Sequence, residues 1–369
     1  MLLKNTLNYM NKKIIWIGPI VKSKDISRFK AISPAANKWQ LSFIEALQNL
    51  DINVINISYL PEPIFPKGDL LPTYCNKDKS LKTESAKYLN VLKLRELTLS
   101  LSLIKKIKKN DNVEFIITYN NSISHIEAGR FAQNKLNKKW VNIVADDKYA
   151  EGPDLTIFLS YDYYVKANLK NKIHIDGGID NLEFDETFDY LKNPKILLFS
   201  GALNKWTGIE KFASDFSTLN FTEIELHIYG KGNSELLKKL ANAYTNIKLK
   251  GFVDEEELQI AMKNCFAFIN PRPTDIEGGE NNFPSKLLLY LMYGKPIIST
   301  KTAGIAPYYD DFLFYYIPEK KQSVISAIVS VTNMENNDLV NFQNRLKTFV
   351  RNRSWQNIGE QFLKSISQI

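Results

Sequence analysis

The 369-residue sequence is poor in the residues that build disulfide frameworks and metal sites, with two cysteines and three histidines. Cys75 and Cys265 are far apart and follow no metal-ligand spacing, which favours a reducing compartment. No run approaches the roughly 18 apolar residues of a membrane-spanning helix, and the first ten residues lack the apolar core of a signal peptide. We therefore expect a soluble or peripheral cytoplasmic protein.

The glycine fingerprint of dinucleotide-binding proteins, Gly-x-Gly-x-x-Gly, is also missing, and Gly230 and Gly232 form only a short Gly-x-Gly turn. Carboxylate pairs occur at Asp146-Asp147 and Asp310-Asp311, but no histidine cluster accompanies either pair at ligand spacing. The sequence therefore predicts no metal site, and Asp310-Asp311 is interpreted as a turn.

The net charge is +8, with lysine clusters at 104–109, 135–139 and 166–172. Two interpretations stay open: the clusters are solvated faces, or they attract the protein to an anionic membrane surface. No basic helix with interleaved aromatic residues accompanies the charge, so we expect no nucleic-acid partner.

Apolar strand-like runs alternate with amphipathic, helix-length segments along the whole chain. Examples are the strands 13–20, 53–59 and 113–119, with helices expected at 34–50 and 92–109. This alternation is typical of parallel α/β domains, and the chain length favours two of them.

The segment 270–300 is the most informative part of the sequence. A buried strand runs into a long polar loop, and the loop ends in a helix that begins near Pro284 and leaves at Gly294. Loops that follow a strand and open a helix bind anions, because backbone N–H groups and the helix dipole point at the ligand. We interpret this loop as a ligand site, although an ordinary strand–loop–helix unit gives the same periodicity.

Four motifs lie in the order found in one enzyme family: LFSGAL at 198–203 with Gly208-Ile209, LHIYGKG at 226–232, IKLKGFV at 247–253 with Glu257-Leu258, and FPSK at 283–286. Together they resemble the GT-B glycosyltransferases, specifically the retaining family 4 type. The resemblance implies an α/β fold of two Rossmann-like domains facing a cleft. It places the acceptor domain at 1–180, the nucleotide-sugar donor domain at 181–350, and a C-terminal helix, 351–369, that crosses back to the first domain.

The resemblance also implies the residues that bind the donor, a nucleotide-diphosphate sugar, with no cofactor or metal. Lys286 is the first candidate for the diphosphate and Lys205 the second, with an exposed surface lysine as the alternative for Lys286. Asn281 and Asn282 are candidates for the sugar hydroxyls, with turn formation as their alternative. The full set is Gly201, Lys205, Gly230, Phe252, Val253, Glu280, Asn281, Asn282, Phe283, Ser285 and Lys286.

The sequence departs from the family at four positions. Ala202 and Thr207 stand where the family has arginine and lysine, and Asn281 and Leu289 stand where it has two glutamates. A leucine accepts no hydrogen bond from ribose hydroxyls, which predicts an unusual donor or lost activity. Glu277 and Glu280 lie just upstream and are candidates to replace the first glutamate.

On the acceptor side, the candidates for catalytic roles are His125, Asp146 and Asp147, each of which follows a strand of the first domain. Trp39 is interpreted as a core residue or as a sugar-stacking ring. We predict no dedicated nucleophile, because a retaining enzyme of this class needs none.

The resulting hypothesis is a hexosyltransferase-type retaining enzyme that acts on a glycan or lipid-linked glycan, in bacterial capsule or lipopolysaccharide synthesis. A lipid-linked acceptor would place the protein at the inner face of the plasma membrane. The alternatives are a non-catalytic GT-B homologue with a binding or scaffolding role and, less favoured, a nucleotide-sugar isomerase.

Overall fold

The computed structural model describes residues 12–29, 31–74, 83–145, 149–180, 182–184, 194–219, 221–274 and 281–369. The chain forms two compact units. The first unit contains Met1–Gly178 together with Trp355–Ile369, and the second contains Ile179–Ser354.

The first unit is built on a seven-stranded parallel sheet with the order β3-β2-β1-β4-β5-β6-β7. Its strands are β1 (Lys13–Ile17), β2 (Asn53–Ser58), β3 (Thr83–Ser85), β4 (Phe115–Tyr119), β5 (Lys139–Val144), β6 (Leu155–Phe158) and β7 (Lys172–His174). Its helices before the second unit are α1 (Pro34–Asn49), α2 (Arg95–Lys109), α3 (Ile123–Leu136) and α4 (Tyr161–Lys166).

Strand β1 shows why this sheet is buried on both faces. Ile14 and Trp16 belong to one hydrophobic core and Ile15 and Ile17 to another, as the two-residue period of a strand requires. Helix α1 contributes to the first core, while α2 and α3 contribute to the second. Near-continuous apolar strands are typical of parallel sheets covered by helices on both sides.

The second unit has a six-stranded parallel sheet with the order β10-β9-β8-β11-β12-β13. Its strands are β8 (Lys195–Ser200), β9 (Ile224–Tyr229), β10 (Ile247–Gly251), β11 (Ala267–Asn270), β12 (Ile297–Thr300) and β13 (Leu313–Tyr316). Its helices are α5 (Ile209–Ser217), α6 (Glu235–Ala243), α7 (Glu255–Asn264), α8 (Lys286–Leu291), α9 (Lys321–Thr332) and α10 (Asn336–Asn352).

The strand order of the second sheet reverses at β8. From β8 the chain moves outward through β9 and β10, and it then returns to the other side of β8 to add β11, β12 and β13. In open parallel sheets the carboxyl ends of the strands around such a reversal form the usual ligand crevice. We therefore expect a ligand site at the loops after β8, β9 and β11.

The final helix, α11 (Trp355–Ile366), belongs to the first unit and packs on α1. The rings of Trp39 and Trp355 lie 5.7 Å apart, and those of Phe43 and Phe362 lie 5.3 Å apart. The indole Nε1 of Trp39 donates to the backbone oxygen of Asp176 at 3.1 Å. Trp39 is thus a core residue of the first unit and not a sugar-stacking ring.

Several elements differ from the sequence expectation. Helix α2 begins at Arg95 and not at 92, because Lys93 has φ +71 and interrupts the helical backbone. The three-residue strand β3 and the six-residue helix α4 are too short to give a periodic signal, and the sequence did not predict them. Among the described residues, no helix is both long enough and apolar enough to cross a membrane.

Candidate functional site

A cavity of about 270 Å³ opens in the second unit, at the carboxyl ends of β8, β9 and β10. Five of the predicted donor-binding residues line it: Gly201, Gly230, Phe252, Val253 and Lys286. They are spread over 86 positions of the sequence, from 201 to 286. The fold therefore gathers one cavity from residues that the motif analysis placed in four separate segments.

Backbone contacts between glycines form one wall of this cavity. The N–H of Gly201 donates to the Tyr229 oxygen at 2.9 Å, and the N–H of Gly230 donates to the Gly251 oxygen at 2.7 Å. Gly230 has φ +148, and a Cβ atom there would lie 1.6 Å from the Gly201 oxygen. Only glycine permits this approach of the two turns, which keeps backbone groups at the surface of the cavity.

The side chain of Lys286 lies against Gly201. A Cβ atom at Gly201 would come within 3.3 Å of Lys286 Cε, so the glycine leaves room for the lysine stem. Lys286 is half-buried, and burial, reinforced by the charge of Arg272, lowers the pKa of its amine to about 8. A partly desolvated amine beside a second cation favours a bound anion, which would return its pKa toward the ordinary range.

Helix α8, which carries Lys286, is fixed to the sheet by Tyr290. The Tyr290 hydroxyl donates to the Ser200 oxygen at 3.2 Å and accepts from the Ser200 N–H at 3.1 Å. Its ring stacks on Phe268 with centroids 4.3 Å apart. These contacts hold the first turn of α8 beside the end of β8, and Lys286 is therefore not an exposed surface lysine.

An exposed aromatic ring stands at the β10 side of the cavity. Phe252 is 67% exposed, and Lys231 Nζ lies 3.9 Å from the centroid of its ring. Val253 and Leu258 add apolar surface next to it. An exposed ring with apolar neighbours offers a stacking surface for a flat, aromatic ligand group.

Lys205, the second diphosphate candidate, is not brought to the same place. It lines a separate cavity of about 330 Å³ that also includes Lys211, Tyr316 and three prolines. Its Nζ lies 5.0 Å from the ring of Trp206, an ordinary surface cation–π contact. The structure therefore separates Lys205 from the cavity that Lys286 lines.

Thr207, which replaces a family lysine, stabilises the loop between β8 and α5. Its Oγ1 donates to the Ala202 oxygen at 3.0 Å and to the Asn204 oxygen at 2.8 Å. Neither Ala202 nor Thr207 brings a cation to this loop. Lys231 and Lys286 are the lysines that line the cavity.

The predicted residues before α8 form a packed loop beside the cavity. The backbone of Asn281 and Asn282 lies against Gly304, where a Cβ atom would fall 2.5 Å from the Asn282 oxygen. The Phe283 ring stacks near Tyr309, with centroids 5.7 Å apart. Neither these three residues nor the exposed Ser285 lines the cavity of Lys286.

Asn282 has a further property. Its side-chain Oδ1 is buried and has no hydrogen-bond partner within the described part of the chain. Buried polar atoms are nearly always paired in folded proteins, so this oxygen is expected to accept from a donor outside the described residues, for which a ligand hydroxyl is suited. This amide is the feature of the loop that best fits a hydroxyl-rich ligand.

Four predicted acidic residues lie outside the described residues: Asp146, Asp147, Glu277 and Glu280. Their roles stay predictions. Leu289, at the position of the family's second glutamate, is half-buried on α8.

His125, the predicted catalytic histidine, is 1% exposed. Its Nδ1 lies 3.3 Å from the Asn120 oxygen, and its ring packs edge-on against Tyr59 at 5.5 Å. Burial lowers its pKa, so the imidazole is neutral at physiological pH. The structure places His125 in the interior of the first unit because the residue opens α3 directly over the sheet, and not at a surface that a substrate reaches.

Lys231, Leu258 and Tyr290 contribute to the site or its support without having been predicted. Lys231 sits between the two glycines of the Gly-x-Gly turn, and that position was a usable signal. The role of Tyr290 depends on contacts with Ser200, 90 positions away, which no local pattern reveals.

Residues 194–333 match the family model described as Glycosyl transferases group 1. The matched range contains the whole cavity and its lining residues. The part of the chain that resembles the group 1 glycosyltransferases is therefore the part that forms the cavity. No curated protein matches the sequence.

Solved structures of glycosyltransferases resemble the chain over nearly its whole length. The lipopolysaccharide outer core galactosyltransferase WaaB has 16% identity and a TM-score of 0.68, with 97% of this chain and 100% of that chain covered. A glycosyltransferase from Rickettsia africae has 14% identity and a TM-score of 0.67, with 97% and 98% covered. Sucrose-phosphate synthase from Thermosynechococcus elongatus has 14% identity and a TM-score of 0.66, also with 97% and 98% covered.

These likenesses confirm the predicted fold class. Two parallel α/β sheets of seven and six strands match the GT-B glycosyltransferase structures. The family prediction is confirmed at the level of the group 1 glycosyltransferases, and the retaining family 4 subtype stays a prediction.

Proposed function

We propose that this protein is a retaining glycosyltransferase that moves a sugar from a nucleotide-sugar donor to a glycan or lipid-linked glycan acceptor. The observation that carries the proposal is the cavity of the second unit. It joins a glycine-built backbone wall, the low-pKa amine of Lys286 and the exposed ring of Phe252, inside a group 1 glycosyltransferase segment.

The donor diphosphate is assigned to the part of the cavity between Gly201 and Lys286. Lys286 supplies a positive charge whose desolvation an anion offsets, and the glycines let a ligand approach the backbone closely. Ala202 and Thr207 bring no cation to this loop. Of the two lysines that line the cavity, Lys286 is the one beside Gly201, so we assign it the main positive charge of the proposed phosphate site.

The nucleoside is assigned to the other end of the cavity. Phe252 and Val253 line it there, and Lys231 flanks the Phe252 ring. A base that stacks on this ring would bury its exposed face, and the cavity joins this end to Lys286 without a break.

In the proposed reaction the acceptor hydroxyl oxygen forms a bond to the anomeric carbon, and the bond from that carbon to the donor phosphate oxygen breaks. The nucleoside diphosphate leaves with the electron pair and takes up the hydroxyl proton. Attack on the face of the leaving group retains the anomeric configuration and needs no protein nucleophile. Charge that develops on the diphosphate is stabilised by Lys286. This scheme uses no cofactor and no metal.

We assign acceptor binding to the first unit and propose a hexosyl donor and a setting in bacterial capsule or lipopolysaccharide synthesis. The likeness to WaaB, described as a lipopolysaccharide outer core galactosyltransferase, motivates the setting.

The second candidate function is a GT-B homologue that binds a nucleotide without transferring sugar. The half-buried Leu289 favours it, because its apolar side chain stands where the family places a ribose-binding carboxylate. In this case the cavity would still bind the diphosphate but would lack some of the hydrogen bonds to the ribose.

A panel of UDP-, GDP- and CMP-sugars separates the candidates. Isothermal titration calorimetry measures binding, and detection of released nucleotide measures hydrolysis or transfer. Binding with turnover, both reduced in Lys286→Met, supports the glycosyltransferase. Binding without turnover on any donor or glycan acceptor supports the non-catalytic homologue, and absence of binding to every nucleotide would refute both.

A further inference from the structure

The exposed apolar side chains of the described residues are unevenly distributed. Of the 19 large hydrophobic side chains that are exposed, nine lie between residues 64 and 123 of the first unit. Leu97 is 56% exposed, Leu101 is 59% exposed and Leu92 is 65% exposed. Scattered exposed leucines are ordinary, but a concentration of this kind indicates an interaction surface.

Helix α2 supplies the centre of this surface. Leu94, which caps the helix, Leu97 and Leu101 follow the i, i+3, i+7 spacing of one helical face, and all three are exposed. The opposite face of α2 carries the buried residues Leu99, Leu103 and Ile107 and already packs in the core of the first unit. The outward leucines, named here the leucine face (Leu94, Leu97 and Leu101), therefore lie outside the hydrophobic cores that the described residues form.

Hydrogen bonds join a second exposed apolar segment to this helix. The buried Asn90 donates to the oxygens of Pro63 at 2.7 Å and Asp69 at 2.9 Å, which holds the 63–71 loop beside the start of α2. That loop exposes Phe65 and Leu71, at 49% and 60%. The apolar surface thus extends from the helix onto a neighbouring loop.

The same helical face ends in lysines. Lys105 and Lys108 continue the line of the leucine face one and two turns later, and both are exposed, as is the following Lys109. Lys106 is tied to Glu84 at 3.1 Å and is not counted with them. Leucines and then lysines on one outward face form an apolar end and a cationic end on a single helix.

Two carboxylates near α2 reduce the positive charge of its exposed lysines. Glu96 is partly buried and accepts from the Ser124 N–H at 3.0 Å, while Asp111 is exposed just beyond the helix. These two carboxylates are outnumbered by three exposed lysines, Lys105, Lys108 and Lys109, so the exposed end of α2 keeps a net positive charge.

This composition selects a lipid surface over a protein partner. Protein interfaces are depleted of lysine in their cores and enriched in tryptophan, tyrosine and arginine, whereas interfacial helices combine leucine with lysine. We propose that the leucine face and the exposed 63–71 loop dock on an anionic lipid bilayer. The leucines would enter the boundary of the acyl chains, and Lys105, Lys108 and Lys109 would contact the anionic head groups.

Vesicle co-sedimentation of the full chain tests this proposal. Vesicles of equimolar phosphatidylcholine and phosphatidylglycerol are compared with vesicles of phosphatidylcholine alone. We expect binding to the anionic vesicles that falls steeply with salt, because exposed charge interactions are screened. The double variant Leu97→Gln/Leu101→Gln should bind at least about tenfold more weakly, since both leucines would lose their apolar contact with the bilayer.

The variant Lys105→Gln/Lys109→Gln tests the cationic end, and about 1 kcal/mol per lysine near an anionic surface corresponds to roughly 30-fold weaker binding for the pair. The matched control is Leu236→Gln/Lys239→Gln on α6 of the second unit, where a leucine and a lysine are also exposed. The control should bind vesicles like the wild type. Thermal unfolding of each variant checks that the fold is retained.

Three results would overturn the proposal: no binding of the wild type to anionic vesicles, binding that survives the leucine and lysine variants, or equal loss in the α6 control. Size-exclusion chromatography adds another decisive outcome. A dimer that dissociates in Leu97→Gln/Leu101→Gln, without vesicle binding by the wild type, would assign the face to self-association instead. None of these measurements uses a nucleotide, so failure here leaves the donor assignment intact, and the reverse also holds.

Discussion

Replacing Lys286 with methionine removes the amine beside Gly201 while keeping most of the side-chain length. A charge-assisted hydrogen bond to an anion contributes about 1.5–3 kcal/mol. UDP or GDP, whichever binds the wild type, should therefore bind Lys286→Met about 10- to 150-fold more weakly at pH 7. The matched control is Lys239→Met, which changes an exposed lysine on α6 that lies outside both cavities.

The same substitution should stabilise the ligand-free protein. The pKa of Lys286 falls from 10.5 to about 8, so the folded state disfavours the charged amine. At about 1.4 kcal/mol per pH unit, removal of the charge would raise the free energy of unfolding by at most about 3 kcal/mol at pH 7. Weaker nucleotide binding together with higher stability is the expected pair of effects.

The free energy of unfolding should change with pH because the pKa of Lys286 differs between the folded and unfolded states. Below pH 8 the amine is charged in the folded and unfolded states, and its desolvation lowers stability. Between pH 8 and 10.5 the unfolded chain binds more protons than the folded one, so the stability of the wild type rises with pH relative to Lys286→Met. Urea unfolding at pH 7 and pH 10 measures this change.

Nucleotide binding should show the opposite trend. The affinity of the wild type for UDP should fall as pH rises above 8, because the amine loses its proton, and binding near pH 8.5 should take up protons. Calorimetry in buffers of different ionisation enthalpy measures this uptake. A wild-type-like affinity in Lys286→Met, or proton uptake that persists in this variant, would refute the assignment of the diphosphate.

Three further predictions concern the neighbourhood of this cavity. Lys205→Met should leave nucleotide affinity nearly unchanged in calorimetry, because Lys205 lines the other cavity; a loss as large as that of Lys286→Met would contradict the separation of the two sites. Phe252→Ala should weaken UDP binding about 5- to 100-fold through lost stacking, with little change in thermal stability since the ring is 67% exposed. Gly230→Ala should destabilise the fold by about 4 kcal/mol or more in urea unfolding, because the new Cβ would meet the Gly201 backbone at 1.6 Å. Gly251→Ala is its control, since φ +72 costs about 1–2 kcal/mol but no atom lies within 4 Å, and equal losses would contradict this reasoning.

The alternation of apolar strands and amphipathic helices predicted the fold class because the central strands of both parallel sheets, such as β1, β4, β11 and β12, are buried on both faces. The same signal failed for β3 and α4, which contain three and six residues. Elements this short are formed by their neighbours in the sheet, and their own sequence carries no period to detect.

Local motifs located five of the eleven residues that line the candidate site. Gly201, Gly230, Phe252 and Lys286 each follow a strand or open a helix, and parallel strands bring their carboxyl ends to one edge. The separation of Lys205 from that edge was not predictable, because it depends on how the loop after β8 folds, with Thr207 bonded to its backbone. The burial of His125 was not predicted for a similar reason. The start of α3 lies over the sheet, and this tertiary packing is not visible in a local motif.

The departures from the family pattern fall where side chains, and not backbone groups, would contact the donor. The glycine wall depends on φ values and close contacts that Gly201 and Gly230 retain, and this part of the cavity is independent of the substituted positions. Ala202 and Leu289, in contrast, replace charged family residues with apolar ones. Backbone groups and Lys286 would then bind the phosphates of any nucleotide diphosphate. Contacts with the ribose and discrimination between donor sugars would depend on residues such as Asn282. The buried amide oxygen of Asn282 lacks a partner within the described residues. The unusual side chains therefore bear on which donor is bound more than on whether a diphosphate is bound.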